Sequence, residues 1–329
     1  MKEHEIRPET YLNRYLELSE QDAMNCFSEN GRINLCCIAC GLDQSFFQFS
    51  KHGFAYTQCS NCKTLFQSPR PPIVEFEDFY RDSSSAKYWA EVFYPSVAEI
   101  RREKIFQPRV NALTKICVEK NISVNQLIDV GAGYGIFLEE WEKLHPEVNI
   151  VAIEPSESLA KECRKKGFNV VESILENVVG YENFSDLATC FEVIEHIYDP
   201  LSFLKKIKKL VRPGGYGFIS TLCVDGFDIQ TLWEKSSQIS PPHHINFFSI
   251  EGFYSLFENA GLVDVSITTP GKLDVDIVLN AMQRDPSYSG MERFLNALCS
   301  DLERSEKFQE FLVNQRMSSH AWILGRVPL

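Results

Sequence analysis

A chain of 329 residues is long enough for one large domain with a smaller one beside it, and 44% apolar with 24% charged residues predicts a sizeable core. Its 33 basic residues against 45 acidic ones leave a net charge of -12, which opposes a general nucleic-acid binder, because such a protein needs a basic face to displace counterions. No run approaches the ~18 apolar residues of a membrane span, and the charged start MKEHEIRPET does not read as a secretory leader, so a cytoplasmic protein is expected.

Residues 1–33 are polar with a weak helical period in Tyr11, Leu12, Tyr15, Leu16 and Leu18, and read as a helical segment. Residues 34–72 carry clustered cysteines. Cys37-x2-Cys40 and Cys59-x2-Cys62, with 18 residues between them, have the spacing of a four-thiolate zinc ribbon. In a reducing compartment metal ligation is expected ahead of disulfides. YTQC and TLF supply a hairpin, Cys36 is the register alternative to Cys37, and Lys63 stands where the second knuckle commonly has glycine. Four thiolates leave no open position, so the zinc is expected to be structural. Cys26, Cys117, Cys163, Cys190, Cys223 and Cys299 read as core residues.

Residues 73–118 read as aromatic-rich amphipathic helices, a linker or lid, in which Tyr80, Tyr88 and Trp89 either stack on a ligand or pack between domains. From 119 to 329 short apolar runs (QLIDV, NIVAIE, NVVES, LATCFEV, YGFIST, DVSIT) alternate with amphipathic helices. That is the pattern of an α/β domain with a mostly parallel sheet. KKIKK at 205–209 reads as the solvated face of one of those helices. Residues 270–318 read as a helical insertion, after which AWILGRVPL supplies a last strand.

LIDVGAGYGIFLEEW joins a strand to a helix through Gly131, Gly133 and Gly135, residues that let a backbone turn tightly beneath a ligand. The loop lacks the third glycine of the dinucleotide fingerprint, since Ile136 stands there. Asp129 before it would repel a pyrophosphate and attract an ammonium group. Glu154, 19 positions beyond Gly135, is placed to accept hydrogen bonds from ribose hydroxyls. A ligand with a ribose and a charged amino-acid tail fits: S-adenosylmethionine.

DVGAGYG, AIEPS and FEVIEHIYDPLSFLKKIKKLVRPGGYGFIST together resemble the successive motifs of class I S-adenosylmethionine-dependent methyltransferases, over residues 105–270. The resemblance implies a Rossmann-like sheet of seven strands with the last one antiparallel. It assigns Asp129 and the loop Gly131, Ala132, Gly133, Tyr134, Gly135 to the methionine portion, Glu154 and Pro155 to the ribose, and Ser173, Ile174 and Leu175 to the flanks of the adenine. Phe191, Glu192 and Val193 fall near the methyl donor. No aspartate follows the third strand, which leaves the adenine amino group to backbone, Glu172 or Glu176. A zinc ribbon and lid ahead of this domain resemble bacterial methyltransferases acting on sugars and related small polar acceptors, so a small-molecule or sugar-containing acceptor is implied.

SPPHHINFFS, residues 240–249, follows the fifth strand of the domain, at the ligand-binding end of such sheets. The matching stretch of sugar C-methyltransferases resembles E-H-x-x-x-F-S; His244 takes the histidine place and His243 replaces the glutamate, which favours a hydroxyl acceptor over carbon. His244 is read as the base that removes the acceptor proton, with His243 positioning the acceptor. The alternatives are a pair that only orients substrate, or structural histidines ahead of a helix capped by Ser249. A metal at His243 and His244 is disfavoured, because adjacent side chains diverge and no nearby carboxylate completes the set. His196 lines the acceptor pocket or packs at a helix start. The rival classes are a nucleic-acid-modifying zinc protein, opposed by the acidic balance, and an inactive scaffold, opposed by the intact glycines and Glu154. The sequence carries no sign of the oligomeric state.

Overall fold

The computed structural model describes residues 1–285, 291–299 and 301–329. It starts with a short helix α1 (Glu3–Ile6) and the amphipathic α2 (Glu9–Asn25), which buries Leu12, Leu18 and Ala23. Strands β1 (Ser45–Lys51) and β2 (Phe54–Cys59) pair antiparallel around a turn at His52 and Gly53, and β3 (Leu65–Gln67) pairs with β2. The hairpin read from YTQC and TLF is β2–β3, and β1 is an additional strand.

The segment after Pro72 is helical, as expected. Helix α3 (Ile73–Asp82) precedes an unbroken rod from Ser84 to Glu119, made of α4 (Ser84–Tyr88), a π turn (Trp89–Phe93), α5 (Tyr94–Arg101), a second π turn (Arg102–Phe106) and α6 (Gln107–Glu119). Pro95 and Pro108 follow the two π turns. Each lacks the N–H that would close a normal helical bond, so the helix widens one residue earlier.

Strands β4 (Gln126–Val130), β5 (Asn149–Ile153), β6 (Asn169–Val171), β7 (Ser185–Phe191) and β8 (Val211–Leu222) alternate with α7 (Ile136–Leu144), α8 (Glu157–Lys165) and α9 (Pro200–Leu210). Strand β8 starts earlier than YGFIST suggests: Val211 already pairs with Ser185, and the register slips before Leu187 meets Tyr216. Gly215 permits this, since a Cβ there would come within 2.8 Å of the Asp186 carbonyl oxygen. Beyond lie α10 (Phe227–Leu232), β9 (Asn246–Phe247), α11 (Ile250–Asn259), β10 (Val263–Thr268), α12 (Asp274–Arg284), α13 (Met291–Leu298), α14 (Leu302–Asn314) and β11 (His320–Arg326). Of the expected helical insertion, residues 286–290 and 300 lie outside the described residues.

The large sheet runs β10-β11-β8-β7-β4-β5-β6. Its central strands are parallel and buried on both faces, which is why they read as continuous apolar runs. Strand β11 lies antiparallel between β8 and β10, as the resemblance implied. The surprise is β9. It comes from the histidine segment, yet it joins the N-terminal sheet, β1-β2-β3-β9, by pairing Leu65 with Phe247 and Phe66 with Asn246. A module bounded at residue 72 is therefore incomplete without residues 246–247. One apolar core runs through Cys37, Cys59, Cys62 and Phe66 into Phe248, Phe253 and Phe257, so the two parts share their interior. No helix among the described residues is long and apolar enough to cross a membrane.

Candidate active site

At the carboxyl end of β4, Gly131, Gly133 and Gly135 all adopt left-handed backbone (φ 75°, 55° and 68°), a region that a side chain disfavours. A Cβ on Gly131 would stand 2.5 Å from Val193 Cγ2. Gly131→Ala is accordingly expected to cost about 2 kcal/mol or more of stability, seen as a lowered Tm, and to weaken S-adenosylhomocysteine binding in calorimetry. Glu154 fastens the loop: Gly133 N–H donates to its Oε2 (2.8 Å) and Ser156 N–H to its Oε1 (2.9 Å). Beneath it Asp129 is buried and accepts from Thr189 Oγ1 at 2.7 Å; burial pushes its carboxyl up to about 7. The Tyr134 hydroxyl donates to the Ala90 carbonyl of the first π turn, and its ring stacks on Tyr94 (4.9 Å), so loop and lid are joined.

Pro155, Ser173 and Ile174 lie exposed or half-buried at the ends of β5 and β6. Leu175 does not: it starts a 3-10 turn and packs into the main core, which leaves Ser173 and Ile174 at the expected adenine edge. Glu172 is drawn aside by Arg164 Nη1 (2.6 Å).

At the end of β7, Phe191 carries the Arg109 guanidinium over its ring (4.6 Å). Glu192 adopts a left-handed backbone (φ 55°) that aims its carboxylate at three partners: Ser220 Oγ (2.6 Å), Arg109 Nη2 (3.1 Å) and His320 Nδ1 (3.7 Å). Burial opposes its ionisation, but His320, Arg109 and the Ser220 bond outweigh it and hold the carboxyl low. Glu195, only 2% exposed, is raised instead, by burial and by the Glu192 charge, and accepts from Thr221 Oγ1 (2.7 Å). Two neighbouring carboxyls pushed in opposite directions are a common mark of reaction sites.

The two histidines part company. His244 Nδ1 sits 2.6 Å from the Gln238 carbonyl. A carbonyl only accepts, so Nδ1 carries the proton and Nε2 keeps a free lone pair. Burial brings this imidazole down to about 4, so it is neutral at pH 7. His196 is held in the same manner, Nδ1 to the His243 carbonyl at 2.9 Å, and its ring lies edge-on to His244 (4.9 Å). His243 is a correction. Its side chain is 5% exposed, bonds Ser85 Oγ through Nε2 (2.9 Å) and packs between Tyr15 and Phe79, so it faces the lid's interior. Only its carbonyl serves the site, by accepting from His196 and from the Tyr80 hydroxyl (3.2 Å). Tyr80 thus borders the cleft, whereas Tyr88 packs with Leu12 and Phe93 in the lid. The adjacent pair His243 and His244 does diverge and forms no joint metal site, but a different set comes together: ligand atoms of Glu195, His196 and His244 lie within 4.8 Å of one another.

Arg109, Ser220, Thr221 and His320 were not foreseen. Arg109 alone left a trace, a cation on the helix face formed by Phe106, Val110, Leu113 and Cys117.

The cysteines converge as read. Four Sγ atoms lie within 4.8 Å of one another, with Cys37 3.5 Å from Cys62 and Cys40 3.6 Å from Cys59. A tetrahedron of ~2.3 Å Zn–S bonds has edges of ~3.8 Å, so the set fits zinc. Cys36 is exposed, which settles the register. Lys63 (φ 62°) adopts the turn that Gly41 (φ 77°) makes in the first knuckle: Lys63 N–H donates to the Cys59 carbonyl (3.1 Å) as Gly41 N–H does to that of Cys37 (2.8 Å).

Glycine loop, acidic strand ends and sheet order define a class, and the comparisons agree. Residues 97–267 match the family model described as a methyltransferase domain, half of the chain; the protein belongs to this family and is a class I S-adenosylmethionine-dependent methyltransferase. Among curated proteins, the ubiquinone biosynthesis O-methyltransferase of Proteus mirabilis (strain HI4320) is 34% identical over 102 residues, 30% of this chain and 42% of that protein. Its counterpart in Escherichia fergusonii is 27% identical over 170 residues, 49% of this chain and 67% of that one. The chain therefore spans between 42% and 67% of the length of these two relatives. Among solved structures, the plantazolicin methyltransferase BpumL in complex with SAH shares the fold, with a TM-score of 0.51 and 13% identity over 77% of this chain and 94% of that one.

Proposed function

We propose that this methyltransferase acts on a hydroxyl group of a small acceptor, a sugar, nucleotide-sugar or glycoconjugate precursor, with His244 as the base. The observation that carries the reading is the hydrogen bond from His244 Nδ1 to the Gln238 carbonyl, which leaves Nε2 ready for a proton. The O-methyltransferase relatives support oxygen as the acceptor atom. Asp129 and the Gly131–Gly135 loop take the methionine portion and Glu154 the ribose. The acceptor oxygen attacks the methyl carbon in line, the S–CH3 electron pair leaves with sulfur, and the hydroxyl proton passes to Nε2. A weak base suffices, because the oxygen becomes strongly acidic as its bond to carbon forms. Proximity supplies much of the rate.

A second reading keeps the acceptor and changes how it loses its proton. Two imidazoles and one carboxylate suit a divalent cation, which would acidify the hydroxyl directly.

The first test is a thermal melt with S-adenosylhomocysteine, with NADH as control. At ~100 times its dissociation constant a ligand adds ~2.7 kcal/mol, so Tm rises with the homocysteine product alone. A panel of hydroxylated sugars and nucleotide-sugars is then assayed for S-adenosylhomocysteine release. Methylation found only on nitrogen or carbon overturns the reading.

A further inference from the structure

One continuous rod, Ser84 to Glu119, touches both halves of the reaction site. Ser85 Oγ lies 2.9 Å from His243 Nε2, and the His243 carbonyl in turn accepts from His196 and Tyr80. One helical turn further, the Ala90 carbonyl receives the Tyr134 hydroxyl, and Tyr94 stacks on the Tyr134 ring. Arg102 then binds Glu139 (2.8 Å) and Glu140 (2.7 Å) of α7, and Arg109 binds Glu192 (3.1 Å).

The meeting of Tyr134 with Ala90 follows from helix chemistry. In the first π turn the Tyr94 N–H bonds the Trp89 carbonyl. The next N–H in that register would reach Ala90, but it belongs to Pro95, which has none. Ala90 is left with a carbonyl that its own helix does not satisfy, on a half-buried residue where an unpaired acceptor is costly. Its donor comes from the centre of the glycine loop. The second π turn repeats the defect: Gln107 N–H bonds the Arg102 carbonyl, and Pro108 leaves the Glu103 carbonyl without a helical donor. Glu103 is exposed, so that carbonyl is open to solvent. Of the two defects, the cofactor loop fills the first.

Tyr134 is held through its backbone as well. Its carbonyl accepts from Lys166 Nζ (2.6 Å), which also binds Glu139, the residue that Arg102 holds. Gly133 and Gly135 on either side are left-handed, and Gly133 N–H is fixed by Glu154. A ligand that settles this loop therefore also settles where the Tyr134 hydroxyl points.

We propose that Tyr134 is a positioning residue that couples cofactor binding to the acceptor side of the site. The cofactor orders the glycine loop, Tyr134 latches the rod at Ala90, and Ser85 then steadies the segment that carries His243 and His244. The acceptor side is completed only after the cofactor has bound, so the cofactor enters first. This coupling does not depend on which acceptor atom is methylated.

The test follows amide hydrogen exchange of the full chain with and without S-adenosylhomocysteine. In the parent, the ligand is expected to slow exchange in the glycine loop, in residues 84–94 and in residues 240–246. Tyr134→Phe keeps the ring on Tyr94 and removes the hydroxyl. It is expected to weaken S-adenosylhomocysteine at most about tenfold, the worth of one hydrogen bond, and at saturating ligand to show protection in the loop alone. Pro95→Ala acts from the other side, because a restored N–H gives Ala90 a donor of its own, and it is expected to confine protection in the same way. Both changes break one contact, so their effects on ligand affinity are not expected to add in the double variant. Protection that stops at the loop in the parent overturns the proposal. So does a Tyr134→Phe protein that still protects residues 84–94 and 240–246, or a double variant whose losses add. If Tyr134→Phe fails to bind the ligand, Pro95→Ala decides by the same pattern of exchange.

Discussion

His244→Ala is expected to lower kcat by about 10²–10⁴-fold and to leave S-adenosylhomocysteine affinity unchanged. The imidazole touches none of the glycine-loop residues through a hydrogen bond; its ties are to Gln238, His196 and Phe247. Full turnover with a true acceptor would remove His244 from the chemistry. The same variant also injures the cation reading, so a second measurement separates the two. Dialysis against a chelator too weak to strip a zinc held by four thiolates should not change the rate if His244 acts as the base. If activity falls and returns with Mg2+ or Mn2+, then Glu195, His196 and His244 hold an ion and the proton goes elsewhere.

Cys59→Ser is expected to produce a larger fall in stability than any surface change, because a structural zinc contributes its binding energy to folding. The four thiols at these distances predict one zinc per chain by elemental analysis, and none or far less in the variant. Activity should disappear with it. Cys59 ends β2, whose Tyr56 hydroxyl donates to the His244 carbonyl at 2.7 Å. Strand β3 pairs with β9, Gln67 N–H donates to the Ile245 carbonyl (2.9 Å), and the buried Arg70 holds Asn246 Oδ1 (2.8 Å) and the Tyr198 carbonyl (2.7 Å). The metal module thus grips the histidine segment from behind. A zinc-free variant with normal turnover would show that the ribbon is a bystander.

Much of this site was legible because its signals are local. The glycine loop, the strand-end carboxylates and the Cys-x2-Cys pairs each depend on spacing within a few residues, and left-handed glycines or knuckle turns impose that spacing. The register of the cysteines followed the same logic. What escaped depends on distant contacts. Nothing in INFF announces that Asn246 and Phe247 will pair with β3, because a two-residue strand has no period. Leu175 looked like its neighbours Ser173 and Ile174, but a 3-10 turn points it inward. The adjacent histidines read as base and positioning group, both in the site, but packing against Ser85, Tyr15 and Phe79 turns the His243 side chain into the lid.

The strand β9 also sets an order of assembly. During synthesis the zinc knuckles emerge early, yet the sheet they belong to waits for Phe247, far down the chain. Until then the outer edge of β3 stays open to water and to other chains. An ion held by the four thiols would fix β2 and β3 beforehand and give the late strand a finished template. Cutting the gene at residue 72 would strip that template away. Ile245 and Phe247, now wholly buried, would then lose the wall against which they rest. The ribbon and the large sheet share one apolar core, and the ribbon's own sheet is closed by a strand from the far end of the chain.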